Sequence, residues 1–295
     1  AKDAKVVLDD SARAEQYGKQ LSQMVQKETI SSRNQEDRSK FEAFHAVLEE
    51  LFPHVHATCE KHNFNGSLLY KWQGNGEGEP ILLMSHLDVV EGNGIWEHEP
   101  FSGDIDEKGR VWGRGTVDTK ASLFCIFEAV EELIAGGYVP NCDVYIASSC
   151  TEEWSGDGAP STVQYLEAQN IRLRLVLDEG GAVIEQAVPG MDRPYAVIGV
   201  TEKGYMDVKI TARGKGGHSS TPPRNTPAAR LFAFANEIER KRPFQKKLIP
   251  EAVEMFKAMA PSFNFPMRLV LGNIWLFKPL LMALMLCILI WHLMD

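Results

Sequence analysis

Short apolar segments alternate with helical segments between residues 66 and 177, and this order constrains the fold more than any other feature. The four apolar segments are 66–72, 80–85, 143–149 and 173–177. Two segments with helical periodicity, 118–135 and 160–169, lie between them. A β-α-β-α-β order predicts a three-layer α/β/α domain built on a mixed sheet. In such domains ligands bind outside the carboxyl ends of the strands.

The segments around this core add two helices and a hairpin to the prediction. Residues 12–30 and 36–51 place apolar side chains on one helical face. A glycine-rich turn at 74–78 separates the first two strand segments. We therefore expect 66–72 and 80–85 to form an antiparallel hairpin within the mixed sheet.

The pattern changes after residue 196, which predicts two domains, 1–196 and 197–295. The second domain is predicted from strands at 197–200 and 206–212 and from helices at 226–241 and 251–260. The uncharged stretch 280–294 is shorter than the ~20 apolar residues that a membrane helix needs. We therefore do not expect a membrane span, and a membrane-associated end is the alternative.

Composition and short motifs argue against several classes of protein. The net charge of −9 argues against a nucleic-acid partner, which would call for a basic face. The five cysteines show no C-x-x-C spacing, which argues against a disulfide framework or a cysteine zinc site. Reduced thiols favour a cytoplasmic protein, and a signal peptide removed before residue 1 leaves secretion open. The sequence has no G-x-S-x-G motif of serine hydrolases and no phosphate-binding P-loop.

One histidine and a set of carboxylates follow the predicted strands. They are His86, Asp88, Asp118, Glu152, Glu153 and Asp178. Each alone fits an ordinary role, such as a solvated loop acid or, for Asp118, a helix N-cap. Together at one sheet edge they offer hard oxygen ligands and one imidazole, a donor set suited to two divalent metal ions. A carboxylate left free beside a metal-activated water can serve as a general base.

The motifs that carry these residues resemble one enzyme family. The matching segments are Met84-Ser85-His86-Leu87-Asp88-Val89-Val90, 96–103, Gly113-Arg114-Gly115-Thr116-Val117-Asp118-Thr119-Lys120, Thr151-Glu152-Glu153, Asp178-Glu179-Gly180-Gly181 and Gly217-His218-Ser219-Ser220. The sequence resembles the di-zinc metallopeptidases of clan MH, which include aminoacylase, carboxypeptidase S and glutamate carboxypeptidase. The resemblance points to the branch of carboxypeptidase S and the N-acyl-amino-acid hydrolases. It implies a zinc-peptidase domain with an inserted α+β lid or dimerisation domain.

This resemblance also implies the metal ligands. Asp118 would bridge two zinc ions, for which cobalt or manganese are expected substitutes. His86 and Asp178 would bind one ion, and Glu153 would bind the other.

The remaining roles follow from the same resemblance. Glu152 would be the general base, and Asp88 would support His86. His218 would bind the substrate carboxylate or stabilise the oxyanion. The implied reaction removes the C-terminal residue of a short peptide or the acyl group of an N-acyl amino acid. The resemblance further implies a homodimer formed through the second domain.

The C-terminal end departs from the family pattern. The family completes its second zinc site with a histidine near its C-terminus, and His292 is not assigned to that role. The last residues, 286–295, do not resemble the family. We therefore expect a C-terminally truncated chain of weak activity, with an inactive metal-binding remnant as the alternative.

Overall fold

A computed structural model describes residues 11–184, 194–201, 204, 206–218, 220–221, 223–241, 243 and 247–279 of the chain. The chain divides into two compact units, Ala1–Glu179 and Gly180–Asp295. This division precedes the predicted boundary at 196, because residues 182–184 pair with residues 195–197 in a separate sheet.

Five helices and five strands form the described part of the first unit. The helices are α1 (Ser11–Val25), α2 (Ser39–Leu51), α3 (Pro53–Thr58), α4 (Ala121–Ala135) and α5 (Gly158–Ala168). The strands are β1 (Glu60–Phe64), β2 (Ser67–Trp72), β3 (Gly78–Met84), β4 (Cys142–Ser148) and β5 (Leu175–Leu177). The predicted helices at 12–30, 36–51, 118–135 and 160–169 and the predicted strands at 66–72, 80–85, 143–149 and 173–177 each have a counterpart. The sequence pattern missed α3 and β1, since α3 has only six residues and β1 is a polar edge strand.

The five strands form one mixed sheet in the order β1-β2-β4-β3-β5. β3 runs parallel to both β4 and β5, while β2 runs antiparallel to β1 and β4. The predicted hairpin of β2 and β3 is therefore wrong, because β4 lies between them. The glycine-rich turn packs instead on the residues that start β4. A Cβ on Gly74 would lie 2.4 Å from the carbonyl carbon of Cys142, so glycine permits this close approach.

One face of the sheet carries α1 to α4, and the other face carries α5. Alternate residues of β2 point to opposite faces, so Tyr70 and Leu69 belong to different cores. The larger core joins the sheet to Met24, Phe41, Phe44, Leu48, Val55, Phe124 and Phe127 of the four helices. The smaller core joins it to Leu166 of α5. This is the predicted three-layer α/β/α arrangement.

The described part of the second unit contains two short strands and three helices. The strands β6 (Ala182–Ile184) and β7 (Tyr195–Val197) pair antiparallel. The helices are α6 (Pro227–Lys241), α7 (Pro250–Met259) and α8 (Phe265–Gly272). A small core of Met259, Ala260, Phe263 and Leu271 holds α7 and α8 together. The predicted helices at 226–241 and 251–260 are therefore present.

Two predictions for the second unit need correction or lie outside the described residues. No strand forms at 206–212 in the described structure, where Met206, Val208 and Ile210 are exposed. Their alternation favours a strand, but a strand also needs a partner for its backbone groups. None of the helices in the described ranges has the length and apolar character to cross a membrane. The apolar stretch 280–294 lies outside those ranges.

His45 of α2 makes the first unit sensitive to acid. The ring is 5% exposed, and its Nε2 lies 3.0 Å from the carbonyl oxygen of Gly66. Burial lowers the pKa of His45 from 6.5 to about 4. The unfolded chain then binds more protons between these two values, so the stability that neutral His45 contributes is complete above pH 6.5 and is lost towards pH 4.

We therefore predict that His45→Gln reduces the acid sensitivity of folding. Glutamine keeps an N–H donor for Gly66 but cannot take up the proton. Between pH 7 and pH 5 the wild type should lose about 2 kcal/mol more unfolding free energy than the variant. Urea unfolding at several pH values measures this difference. Parallel pH profiles for the two proteins would contradict the prediction.

Candidate metal centre

Three neighbouring parallel strands end at the same edge of the sheet. His86 follows β3, the Glu152–Glu153 pair follows β4, and Glu179 follows β5. Asp118 comes from a tight turn, Thr116–Lys120, that leads directly into α4. The convergence expected from the sequence is therefore observed for His86, Asp118 and the two glutamates.

His86 is oriented by one ring nitrogen and presents the other to the carboxylates. Its Nδ1 lies 2.9 Å from the backbone oxygen of Asp88 and 3.4 Å from Asp88 Oδ1. Its Nε2 lies 3.0 Å from Asp118 Oδ1, 3.2 Å from Glu179 Oε2 and 3.8 Å from Glu152 Oε2. The ring is buried, so its orientation is fixed. A histidine held by its second nitrogen in this way is typical of metal ligands.

Two overlapping sets of side chains have the spacing of metal ligands. One set is His86, Glu152 and Glu179, and the other is His86, Asp118 and Glu153. Within each set the candidate ligand atoms lie within 4.8 Å of one another. The two sets share His86, whereas the family resemblance implies Asp118 as the shared ligand.

The carboxylates create an environment that favours positive charge. Burial disfavours the charged form of His86, but a hydrogen bond with Asp88 and the charges of Glu179, Asp88 and Glu152 outweigh it, so the pKa of His86 rises to about 10. Burial also raises the pKa of Glu152, Glu153 and Glu179, and nearby carboxylates add to this effect. Imidazole nitrogen and carboxylate oxygen are ligands of zinc and similar divalent ions. The residues therefore fit a metal centre in both charge and donor type.

The Asp88 carboxylate fixes the backbone around the site. Its side chain is completely buried, and its Oδ1 accepts the backbone N–H of Glu152 at 3.1 Å. Its Oδ2 accepts the backbone N–H of Glu153 at 3.2 Å and the Ser31 hydroxyl at 2.6 Å. The prediction assigned Asp88 to the support of His86. The structure shows that it also holds the two glutamates that follow β4.

The turn that carries Asp118 depends on close packing with the His86 segment. Gly115 has a φ of 83°, in the left-handed region that glycine adopts easily. A Cβ at this position would lie 2.6 Å from Val89 Cγ1. Ser85 donates its hydroxyl to the Thr119 backbone oxygen at 3.1 Å. These contacts place Asp118 beside His86, although the Asp118 side chain itself is 71% exposed.

Asp178 and His218 are placed differently from the clustered residues. Asp178 belongs to neither candidate ligand set found among the described residues, although it lines a cavity with His86. The next residue, Glu179, reaches His86 instead. Glu179 was not among the predicted ligands, although the alternation of side chains along an extended segment signals that neighbours face opposite sides. His218 lies in the second unit, where its exposed ring contacts the Ser220 hydroxyl at 2.8 Å, so its substrate role stays a prediction.

We predict that Asp88→Asn destabilises the first unit. An amide offers one acceptor oxygen in place of two and turns an NH₂ group towards N–H donors. The unfolding free energy of the metal-free chain should fall by about 2–3 kcal/mol. Urea unfolding measures it, with Asp37→Asn as the matched control, because Asp37 is exposed and accepts the Ser39 N–H. Equal effects of the two substitutions would refute the role given to Asp88.

The chain is similar in sequence to curated proteins. "Probable carboxypeptidase S-like 2" of Dictyostelium discoideum is 36% identical over 249 residues, which cover 82% of this chain and 47% of the relative. "N-fatty-acyl-amino acid synthase/hydrolase PM20D1" of Xenopus tropicalis is 34% identical over 261 residues, which cover 86% and 51%. The chain thus spans about half the length of the curated relatives it matches.

Structural and family comparisons complete these findings. The crystal structure of the M20 family metallo-carboxypeptidase Sso-CP2 from Sulfolobus solfataricus is 20% identical, with a TM-score of 0.48 over 62% of this chain and 40% of that chain. The sequence profile of Peptidase family M20/M25/M40 matches residues 82–270. This match runs from β3 to α8 and includes the whole residue cluster around His86. The chain therefore belongs to peptidase family M20/M25/M40, a family of metal-dependent hydrolases.

Proposed function

We propose that this chain hydrolyses the C-terminal peptide bond of short peptides or the amide bond of N-acyl amino acids with the help of bound metal. One observation carries the proposal. His86 Nε2 faces Asp118 and Glu179 oxygens at 3.0 and 3.2 Å while Nδ1 is held by Asp88. The names of the relatives support both substrate classes. They also support an enzyme over the inactive remnant considered above.

We propose two zinc ions as the cofactor, with cobalt or manganese as substitutes. Following the family resemblance, His86, Asp118 and Glu153 would hold the ions. Asp178 or Glu179 would be the further carboxylate on the side of His86. Bound ions of this kind lower the pKa of water and polarise the scissile carbonyl.

Glu152 is the residue we propose as general base. Its side chain is half exposed and its Oε2 lies 3.8 Å from His86 Nε2, so it borders the cluster and also meets solvent. Burial raises its pKa, which brings a glutamate closer to the value that suits proton transfer near neutral pH. Glu152 takes a proton from the attacking water and delivers it to the leaving amine nitrogen. The Asp88 bond to its backbone N–H keeps it in place.

An apolar cavity beside the cluster supports a substrate with an apolar group. The cavity has a volume of about 200 Å³ and lies between the sheet and α5. His86, Glu152 and Asp178 line it together with apolar residues such as Leu82, Met84 and Leu166. An acyl chain or an apolar side chain next to Glu152 would be removed from water there.

Two further parts of the proposal rest on the family resemblance alone. His218 of the second unit binds the substrate carboxylate or stabilises the oxyanion. The second unit also joins two copies of the chain in a homodimer.

We predict that Glu152→Gln removes most turnover and leaves metal binding largely intact. The amide keeps the shape of the side chain but cannot accept a proton, and loss of a general base lowers kcat by about 10²–10⁴-fold. The measurement pairs kcat on N-acyl amino acids and dipeptides with metal content by mass spectrometry. Glu167→Gln at the exposed end of α5 is the matched control. A variant with near wild-type kcat would remove Glu152 from this role.

A second experiment decides whether Asp178 or Glu179, the two acids that follow β5, binds metal together with His86. Asp178→Asn and Glu179→Gln are compared for zinc affinity by chelator competition. The family resemblance assigns the larger loss to Asp178, while the contact with His86 assigns it to Glu179. The variant with the larger loss identifies the ligand.

A further inference from the structure

Lys120 is a fully buried lysine two residues after Asp118. Its side chain is 0% exposed, and its ammonium group lies 5.0 Å from the centre of the Phe44 ring. Lysine is almost never fully buried unless it is paired, because burial of its charge is costly. A methionine would fill this space without that cost. The ammonium group therefore needs a specific explanation.

The ammonium group binds the end of α1. Lys120 Nζ donates to the backbone oxygen of Met24 at 3.0 Å and to that of Lys27 at 2.7 Å. Met24 lies in the last turn of α1, and Lys27 follows the helix. Carbonyl groups at a helix C-terminus lack helical partners and carry partial negative charge, so a lysine there is favourable. Lys120 thereby fastens the Asp118 turn to the α1 exit segment, residues 24–31.

The α1 exit segment also holds the segment that carries His86. Thr29 donates its hydroxyl to the Leu87 backbone oxygen at 2.7 Å, and its own backbone oxygen accepts the Val89 N–H at 3.1 Å. The Ser31 N–H donates to the Val89 backbone oxygen at 3.2 Å, and the Ser31 hydroxyl donates to Asp88 Oδ2 at 2.6 Å. The α1 exit segment therefore contacts both the segment that carries His86 and Lys120 of the Asp118 turn.

The Asp118 turn is held by the residues around Asp118. The Lys120 N–H donates to the Gly115 backbone oxygen at 2.8 Å, which closes the turn. Thr119 is buried, and its backbone oxygen accepts the Ser85 hydroxyl at 3.1 Å. The Asp118 side chain is largely exposed and contacts His86 Nε2. The position of its carboxylate therefore depends on how the turn is anchored.

We infer that Lys120 is a positioning residue of the metal centre, which sets the separation of Asp118 and His86 by fixing the Asp118 turn to the α1 exit segment. Its contacts are with main-chain oxygens and an aromatic ring, so it acts through Asp118 and not on the substrate. The inference rests on the proposed metal-binding function. It goes beyond that function by giving α1 a part in metal affinity.

The test compares Lys120→Met with the wild-type chain, using zinc and cobalt as probes. Methionine keeps the length and the apolar stem but cannot bind the carbonyls. Three quantities are measured on the full chain: zinc affinity by chelator competition, the visible absorption spectrum of bound cobalt, and the melting temperature without metal. Lys71→Met is the matched control, since Lys71 of β2 pairs with Asp143 at 3.1 Å, away from the Asp118 turn. Lys120→Gln, which keeps one N–H donor, is the second variant.

We expect Lys120→Met to weaken zinc binding by about 10–100-fold, the usual effect of removing a group that orients a ligand. The cobalt spectrum should change as well, while Lys71→Met keeps wild-type affinity and spectrum even if its melting temperature falls. Wild-type affinity and spectrum in a folded Lys120 variant would overturn the inference. Failure of both Lys120 variants to fold would also overturn it, because Lys120 would then serve the fold alone. A wild-type chain that binds no metal would instead refute the proposed function.

Discussion

The buried carboxylate of Asp88 is the interaction on which the candidate site depends. It lies on the segment after β3, yet it accepts hydrogen bonds from the backbone of Glu152 and Glu153 after β4 and from Ser31 after α1. A buried carboxylate needs hydrogen-bond donors of this kind, because a buried polar group without partners is costly. Three segments that are distant in sequence thus meet at one buried carboxylate. The two glutamates that follow β4 owe their positions to it.

The cluster of carboxylates around His86 lowers the stability of the fold. Asp118, Glu152, Glu153 and Glu179 converge on a single imidazole, and burial raises the pKa of the three glutamates. Carboxylates this close repel one another, so the fold alone does not favour their convergence. Sites that break the rules of stability in this way are commonly functional. A bound cation would offset this repulsion, which agrees with the membership of the chain in a family of metal-dependent hydrolases.

The sequence predicted the sheet better than it predicted its connections. The strand segments and the convergence of acidic residues were visible, because apolar runs and the residues after them are local features. The β2–β3 hairpin was wrong, because the glycine-rich turn at 74–78 packs on residues 141–142, a contact that no local pattern reveals. The strand at 206–212 was wrong for a related reason, since alternation shows a preference but not a partner. Glu179 was missed because the choice between adjacent acids depends on side-chain direction.

The sequence did not reveal the hydrogen bonds that hold the site in place. Ser31, Thr29 and Lys120 carry no metal-binding pattern, and a serine and a threonine after a helix resemble any capping residues. Their importance is visible only in the structure. There the α1 exit segment is hydrogen-bonded both to the segment that carries His86 and to Lys120 of the Asp118 turn. Motifs identify the groups that can do chemistry, because that chemistry needs particular residue types at the ends of particular strands. The distances between such groups are set by buried hydrogen bonds from elsewhere in the chain, which is why Lys120 belongs with the metal centre although it contacts none of its candidate ligands.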